Sequence, residues 1–165
     1  MVKAYEERSF RGPSAIAFGA QEDEDTIYFT DSGPLGETTL ERPRGSIFSI
    51  CTSPSDGQIL RPLAFECLAH PCGIATSPAD PKVLFVAEMM QNRILRLCRR
   101  PSNTHHLSVF HQFAGGLGPS CVACDKSGTL FVGHYDFAGI SVLSTEGVLQ
   151  YTLQVPGTEI TGICL

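Results

Sequence analysis

Asp31, Glu88 and His134 each close a short apolar run, at 27–31, 84–88 and 130–134, and each run holds the same place in one of three repeated units. Two carboxylates and an imidazole brought to one place could bind a cation or serve as general base and general acid. The same groups can instead be hydrogen-bonded rim residues that hold loops. Tyr135 and Asp136 extend the third of these loops. Cys72 adds a thiol that a nearby imidazole could activate as a thiolate, although nothing local to it supplies an oxyanion hole.

These residues can meet only if the repeats stack. Pro13-Ser14-Ala15-Ile16-Ala17-Phe18, Pro71-Cys72-Gly73-Ile74-Ala75-Thr76 and Pro119-Ser120-Cys121-Val122-Ala123-Cys124 are three versions of one phrase, and a fourth begins at Ile160-Thr161-Gly162-Ile163. Ser14 to Cys72 is 58 residues, Cys72 to Ser120 is 48 and Ser120 to Thr161 is 41. A period drifting over this range, with about four strand-length runs per copy, belongs to β-propeller blades rather than helical repeats. Gly or Pro interrupts almost every window where a long amphipathic helix would have to run.

The strands can be placed in each unit. The second unit predicts strands at 73–76, 83–87, 93–98 and 107–113. The third and fourth strands fall at 46–50 and 59–65 in the first unit, and at 140–143 and 148–155 in the third. Turn residues separate them, as in Ser53-Pro54-Ser55-Asp56-Gly57 and Asp125-Lys126-Ser127-Gly128. Strand two runs antiparallel to strand one, so its end returns to the rim where strand one starts. That sets Asp31, Glu88 and His134 beside Ser14, Cys72 and Ser120. Alternation places Ile16, Ile74, Val122 and Ile163 equivalently, facing between blades.

The fold expected is therefore all-β, an incomplete β-propeller of about three and a half four-stranded blades from a six-bladed ring. Its single domain covers 1–165, with blades at 13–66, 71–114 and 119–156. Residues 2–5 and 160–165 are expected to belong to flanking blades.

Composition narrows the function classes. Hydrophobic residues make up 42% and charged residues 18%, which suits a globular domain. The net charge of −5 argues against nucleic acid as a partner. No run is long and apolar enough to span a bilayer, and the first residues lack the apolar core of a secretory signal, so a cytoplasmic protein is expected. Seven cysteines scattered through strands do not read as a disulfide framework. Cys121 and Cys124 form a Cys-x-x-Cys, but side chains three apart on a strand point to opposite faces, which argues against zinc or redox chemistry. The acid run Glu22-Asp23-Glu24-Asp25 reads as a solvated hairpin tip. Arg93, Arg96, Arg99 and Arg100 form the basic cluster, suited to an exposed outer strand or to an acidic partner. His105, His106 and His111 read as surface residues.

Gly12-Pro13-Ser14 through Ile27-Tyr28-Phe29-Thr30-Asp31-Ser32-Gly33, then Pro71-Cys72-Gly73-Ile74-Ala75 with Leu84-Phe85-Val86-Ala87-Glu88, then Gly118-Pro119-Ser120 with Gly128-Thr129-Leu130-Phe131-Val132, resemble consecutive blades of the regucalcin/gluconolactonase type of six-bladed propeller. Strictosidine synthase-like proteins are similar. The resemblance implies a divalent cation, usually calcium, in the central channel. Its ligands in such proteins are Asn and Asp side chains at the positions held here by Ser14, Cys72 and Ser120, with a Glu from an earlier blade. A hard cation wants carboxylate and carbonyl oxygens, and these three residues offer neither. The expectation is a catalytically degenerate propeller with no cofactor, serving as a protein-binding or scaffold module within a larger assembly. The alternative is a calcium-dependent hydrolase of the lactonase or esterase type, with a small molecule bound in the channel.

Overall fold

The computed structural model describes residues 4–19, 25–53, 55–102 and 104–165. The acid run at 22–25 lies outside the described residues except for Asp25, as do Val2 and Lys3 of the expected flanking strand. There is no helix among the described residues. Fourteen strands run in chain order: β1 (Ala4–Tyr5), β2 (Arg8–Ser9), β3 (Pro13–Phe18), β4 (Ile27–Asp31), β5 (Gly45–Ser53), β6 (Gly57–Leu68), β7 (Pro71–Thr76), β8 (Val83–Glu88), β9 (Arg93–Arg99), β10 (His105–Gln112), β11 (Pro119–Cys124), β12 (Leu130–His134), β13 (Gly139–Leu143) and β14 (Leu149–Gln154). From β3 onward they form three four-stranded antiparallel sheets in sequence order: β3-β4-β5-β6, β7-β8-β9-β10 and β11-β12-β13-β14. These are the blades that the repeats require.

Neighbouring blades share their apolar faces. Ile74, Val86, Leu95 and Leu97 of the second sheet pack on Tyr28 and Ile47 of the first. Val122, Val132 and Leu143 of the third pack on Phe85, Ala87 and Ile94 of the second. The innermost strands approach so closely that a Cβ on Gly73 would lie 2.8 Å from the Cys121 Cα, so glycine is what lets β7 and β11 run side by side.

The two ends depart from expectation. Ile74 and Val122 are buried at 6% and 7% exposure, as the alternation requires, but Ile16 is 60% exposed and Ile163 is only partly buried. Ala15 and Ala17 face the second sheet, and Ile16 lies on the opposite face of the first, which no sheet among the described residues covers at that strand. Ala4–Tyr5 does not join a blade. It pairs with Arg8–Ser9 as a small hairpin, and Tyr5 sets its ring against Phe48 and Phe65 while Phe10 lies against Phe29 and Phe48. The N-terminal segment thus covers the outer part of the first blade's open face and leaves Ile16 and Phe18 bare. Residues 160–165 form no strand; the Ile160 amide donates to the His134 carbonyl at 3.2 Å.

Candidate functional site

Each innermost strand starts with the same irregularity. Pro13 stands opposite Asp31, Pro71 opposite Glu88 and Pro119 opposite His134, and the register then slips by one residue before Ala15, Gly73 and Cys121 resume pairing. Ser14, Cys72 and Ser120 are therefore the extra residues of three equivalent β-bulges. A bulge re-aims a side chain and is favoured beside functional sites. Within each blade, the end of the second strand lies beside the start of the first. The bulges themselves were invisible in the sequence, since they reside in hydrogen-bond register rather than in residue type.

What the side chains do there differs among the blades. The amides of Arg11 and Gly12 donate to Asp31 at 3.0 and 2.7 Å. Glu88, 1% exposed, accepts the Ala69 amide at 2.7 Å and holds Arg93 Nε at 2.6 Å. Arg11 and Ala69 each stand two residues before the proline that opens the innermost strand. In the third blade that position is Leu117, and its amide donates to Asp136 at 2.8 Å. A carboxylate thus fastens the loop that leads into every blade, and in the third the task has moved from position 134 to 136. The shared spacing to the proline is a signal that the sequence carries and that the repeat alignment alone passes over.

His134 is released from that task. Its Nε2 lies 3.1 Å from Ser141 Oγ, and its ring meets Phe113 and Phe137 edge to face. Burial pushes its pKa below the ordinary 6.5, with Asp136 opposing and His111 assisting. His70, buried beside Thr38, is shifted the same way by burial alone. Both rings are therefore kept neutral by the fold, and the unfolded chain takes up protons first as pH falls. The stability they contribute is complete above about pH 6.5 and is lost as the pH drops through 6.5 toward the folded values. The thermal midpoint should fall between about pH 7 and pH 5.5, and His70→Gln with His134→Gln should flatten that slope; a slope unchanged in the double variant would refute the assignment.

The bulge side chains face other partners. The Cys72 thiol donates to the carbonyls of Pro119 at 3.3 Å and Ala87 at 3.5 Å, and burial pushes its pKa up to about 12. A thiol so held is protonated at neutral pH and is not the activated nucleophile considered above. Ser120 Oγ lies against the Gly133 carbonyl at 3.1 Å and against the Ile160 carbonyl. Thr30 Oγ1 donates across the first blade boundary to the Cys72 carbonyl at 3.1 Å. Ser14 is exposed. A hydroxyl, a protonated thiol and a second hydroxyl, two of them already engaged with neighbouring backbone, do not fit the requirements of calcium. Among the described residues no three His, Cys, Asp or Glu side chains are grouped to hold a metal ion.

Two further expectations change. Arg93 is no outer-strand residue, since β9 lies between β8 and β10 and its guanidinium pairs with buried Glu88. His111 is half-buried and contacts the Gly147 carbonyl through Nδ1 at 2.7 Å. Cys124 packs against the second blade while Cys121 lies against Gly133 and Ile160, on the other face. All seven cysteines are free thiols. No helix among the described residues is long and apolar enough to cross a membrane.

Three antiparallel blades packed through their innermost strands, with the strand-two ends returned to one rim, define a segment of a β-propeller. Its fold is of the regucalcin/gluconolactonase type. The structure is similar to a gluconolactonase from Xanthomonas campestris at 26% identity and TM-score 0.75, over 96% of this chain and 52% of that one. It is also similar to regucalcin, a calcium-binding protein from Agrobacterium tumefaciens, at 19% identity and TM-score 0.72 over 91% and 48%. A periplasmic gluconolactonase from Pseudomonas aeruginosa matches at 20% identity and TM-score 0.60 over 87% and 45%. The chain thus spans about half the length of these solved structures. No protein-family model matches the sequence, and neither does any curated protein.

Proposed function

We propose that this chain supplies three blades of a propeller hydrolase acting on lactones or esters. The observation that carries the reading is the similarity to the Xanthomonas gluconolactonase, which extends over nearly all of this chain. It favours hydrolysis over the scaffold role that the substituted ligand positions suggest. This half contributes a rim where three loops are fastened by Asp31, Glu88 and Asp136, so that groups facing the channel are held in place before substrate arrives. The cation that such propellers bind supplies a Lewis acid when present, but Ser14, Cys72 and Ser120 are poor ligands for it. The seven free thiols support a reducing compartment such as the cytoplasm.

The carbonyl contacts of Cys72 and Ser120 favour a second reading, a non-catalytic propeller that binds a protein partner. Lactone hydrolysis followed by acid release, with and without a chelator, separates the two. Turnover above the uncatalysed rate supports the hydrolase; its absence from a folded propeller containing these blades leaves the binding module. Calorimetry with calcium is expected to show no binding tighter than millimolar through this half.

A further inference from the structure

The third blade breaks the repeat at two positions that touch. Opposite Val132 on β13 stands Ser141, where the first blade pairs Phe29 with Phe48 and the second pairs Val86 with Leu95. Phe48 and Leu95 are large core side chains at 1% and 0% exposure. A serine in that place removes most of a side chain from a packed sheet face. Two residues along from Val132, His134 replaces the loop-fastening carboxylate of the other blades, and the two substituted side chains lie 3.1 Å apart, Ser141 Oγ to His134 Nε2. Where the lost volume would have been, a cleft of about 340 Å³ opens, lined by His134, Ser141, Asp136, Phe137, Gly115 and Gly116.

We propose that Ser141 and His134 are a nucleophile and general-base pair for acyl transfer, taking a small ester or lactone in this cleft. The assignment deepens the hydrolase reading above and rests on it. Several features of the geometry meet the needs of the chemistry. A hydroxyl donating to Nε2 across that 3.1 Å contact would place the ring proton on Nδ1 and leave Nε2 as the acceptor that general-base catalysis needs. The ring is held edge to face between Phe113 and Phe137. Asp136 is placed to favour the imidazolium that forms. Gly115 and Gly116 offer only backbone to the cleft, and both take positive φ (78° and 71°), the left-handed conformation that favours glycine.

In the first step Ser141 Oγ bonds to the substrate carbonyl carbon and its proton passes to Nε2. The carbon–oxygen bond to the leaving alkoxide then breaks, and that oxygen takes the proton from Nε2; in a lactone it stays tethered as a hydroxyl. Water attacks the acyl-serine, giving up a proton to Nε2, and the acid departs as the proton returns to Ser141. The sum is ester plus water to acid plus alcohol, with no redox change.

A fluorophosphonate probe applied to the full chain in a chelator, with the adduct located by peptide mass, tests this independently of turnover. Labelling at Ser141 is expected, abolished in Ser141→Ala and slowed about 10²–10⁴-fold in His134→Gln. Ser141→Cys guards against misfolding, since a thiol in the same place should alkylate faster with His134 present than with His134→Gln. A folded protein that leaves Ser141 unlabelled, labelling indifferent to His134, or equal reactivity of the cysteine with and without the imidazole would each overturn the proposal. Hydrolysis that persists in Ser141→Ala removes this pair and spares the hydrolase reading. Labelling of Ser141 without any lactone or ester turnover removes the hydrolase reading and leaves the reactive pair.

Discussion

Residues 1–165 produced alone should associate or aggregate rather than elute as a monodisperse monomer. Ile16 and Phe18 on the innermost strand of the first blade are 60% and 63% exposed, and Tyr151 and Leu153 on the last strand of the third are 53% and 43% exposed. Large apolar side chains grouped on open sheet faces mark surfaces that are covered in a working assembly. Burying each contributes roughly 1.5–3 kcal/mol, against a whole-domain stability of about 5–15 kcal/mol. Covering these faces is therefore a decisive fraction of the total. The N-terminal hairpin shields Phe29 and Phe48 but stops short of the inner strand, so the bare patch is narrow and testable. Ile16→Ser with Phe18→Ser should reduce association at a given concentration with little change in the thermal midpoint. A sharp, reversible transition of a monomeric wild-type chain, by size exclusion and calorimetry, would refute the expectation.

Arg93→Ala is expected to be the most damaging single change at the rim, costing about 3–5 kcal/mol. It leaves the Glu88 carboxylate, 1% exposed, without the guanidinium 2.6 Å away. An ion pair taken out of water is held by geometry rather than by net gain, so the cost comes from the stranded partner. Glu88→Gln keeps an acceptor for the Ala69 amide and removes the charge. Arg93→Ala should accordingly cost much less in a Glu88→Gln background, and chemical denaturation of the four proteins measures that coupling. Arg11→Ala is the contrast. Its partners Glu37 and Glu66 are 42% and 30% exposed, and pairs so open to solvent contribute about 0–1 kcal/mol. Equal costs at Arg93 and Arg11 would show that burial of Glu88 is not what matters.

The blades were legible because two local signals agree in every copy: apolar residues at strand spacing, and Gly, Pro, Asp or Ser where the chain must turn. Strand ends shifted by a few residues, as at β6, whose ladder runs on to Leu68 through two register shifts. The candidate site was legible by position and not by role. Antiparallel pairing alone returns Asp31, Glu88 and His134 to the start of the innermost strands. Which of them fastens a loop depends on a backbone amide two residues before a proline, and that contact exists only once the chain is folded. Ser141 left no mark in its own neighbourhood, because a serine in a strand is unremarkable until it is compared with Phe48 and Leu95 across the repeat. Ile16 misled for the opposite reason: its own strand was read correctly, and its burial depended on a sheet that is not present among the described residues.

The bulge that opens each innermost strand makes one residue per blade exempt from the ladder. Ser14, Cys72 and Ser120 stand outside the regular pairing of both strands, so the sheet imposes no demand on their side chains beyond room and a partner. Such positions behave as interchangeable sockets around a fixed frame: a hydroxyl, a thiol or an amide can be fitted without moving the wall that carries it. Chemistry at this rim can be altered one blade at a time while the architecture stays the same.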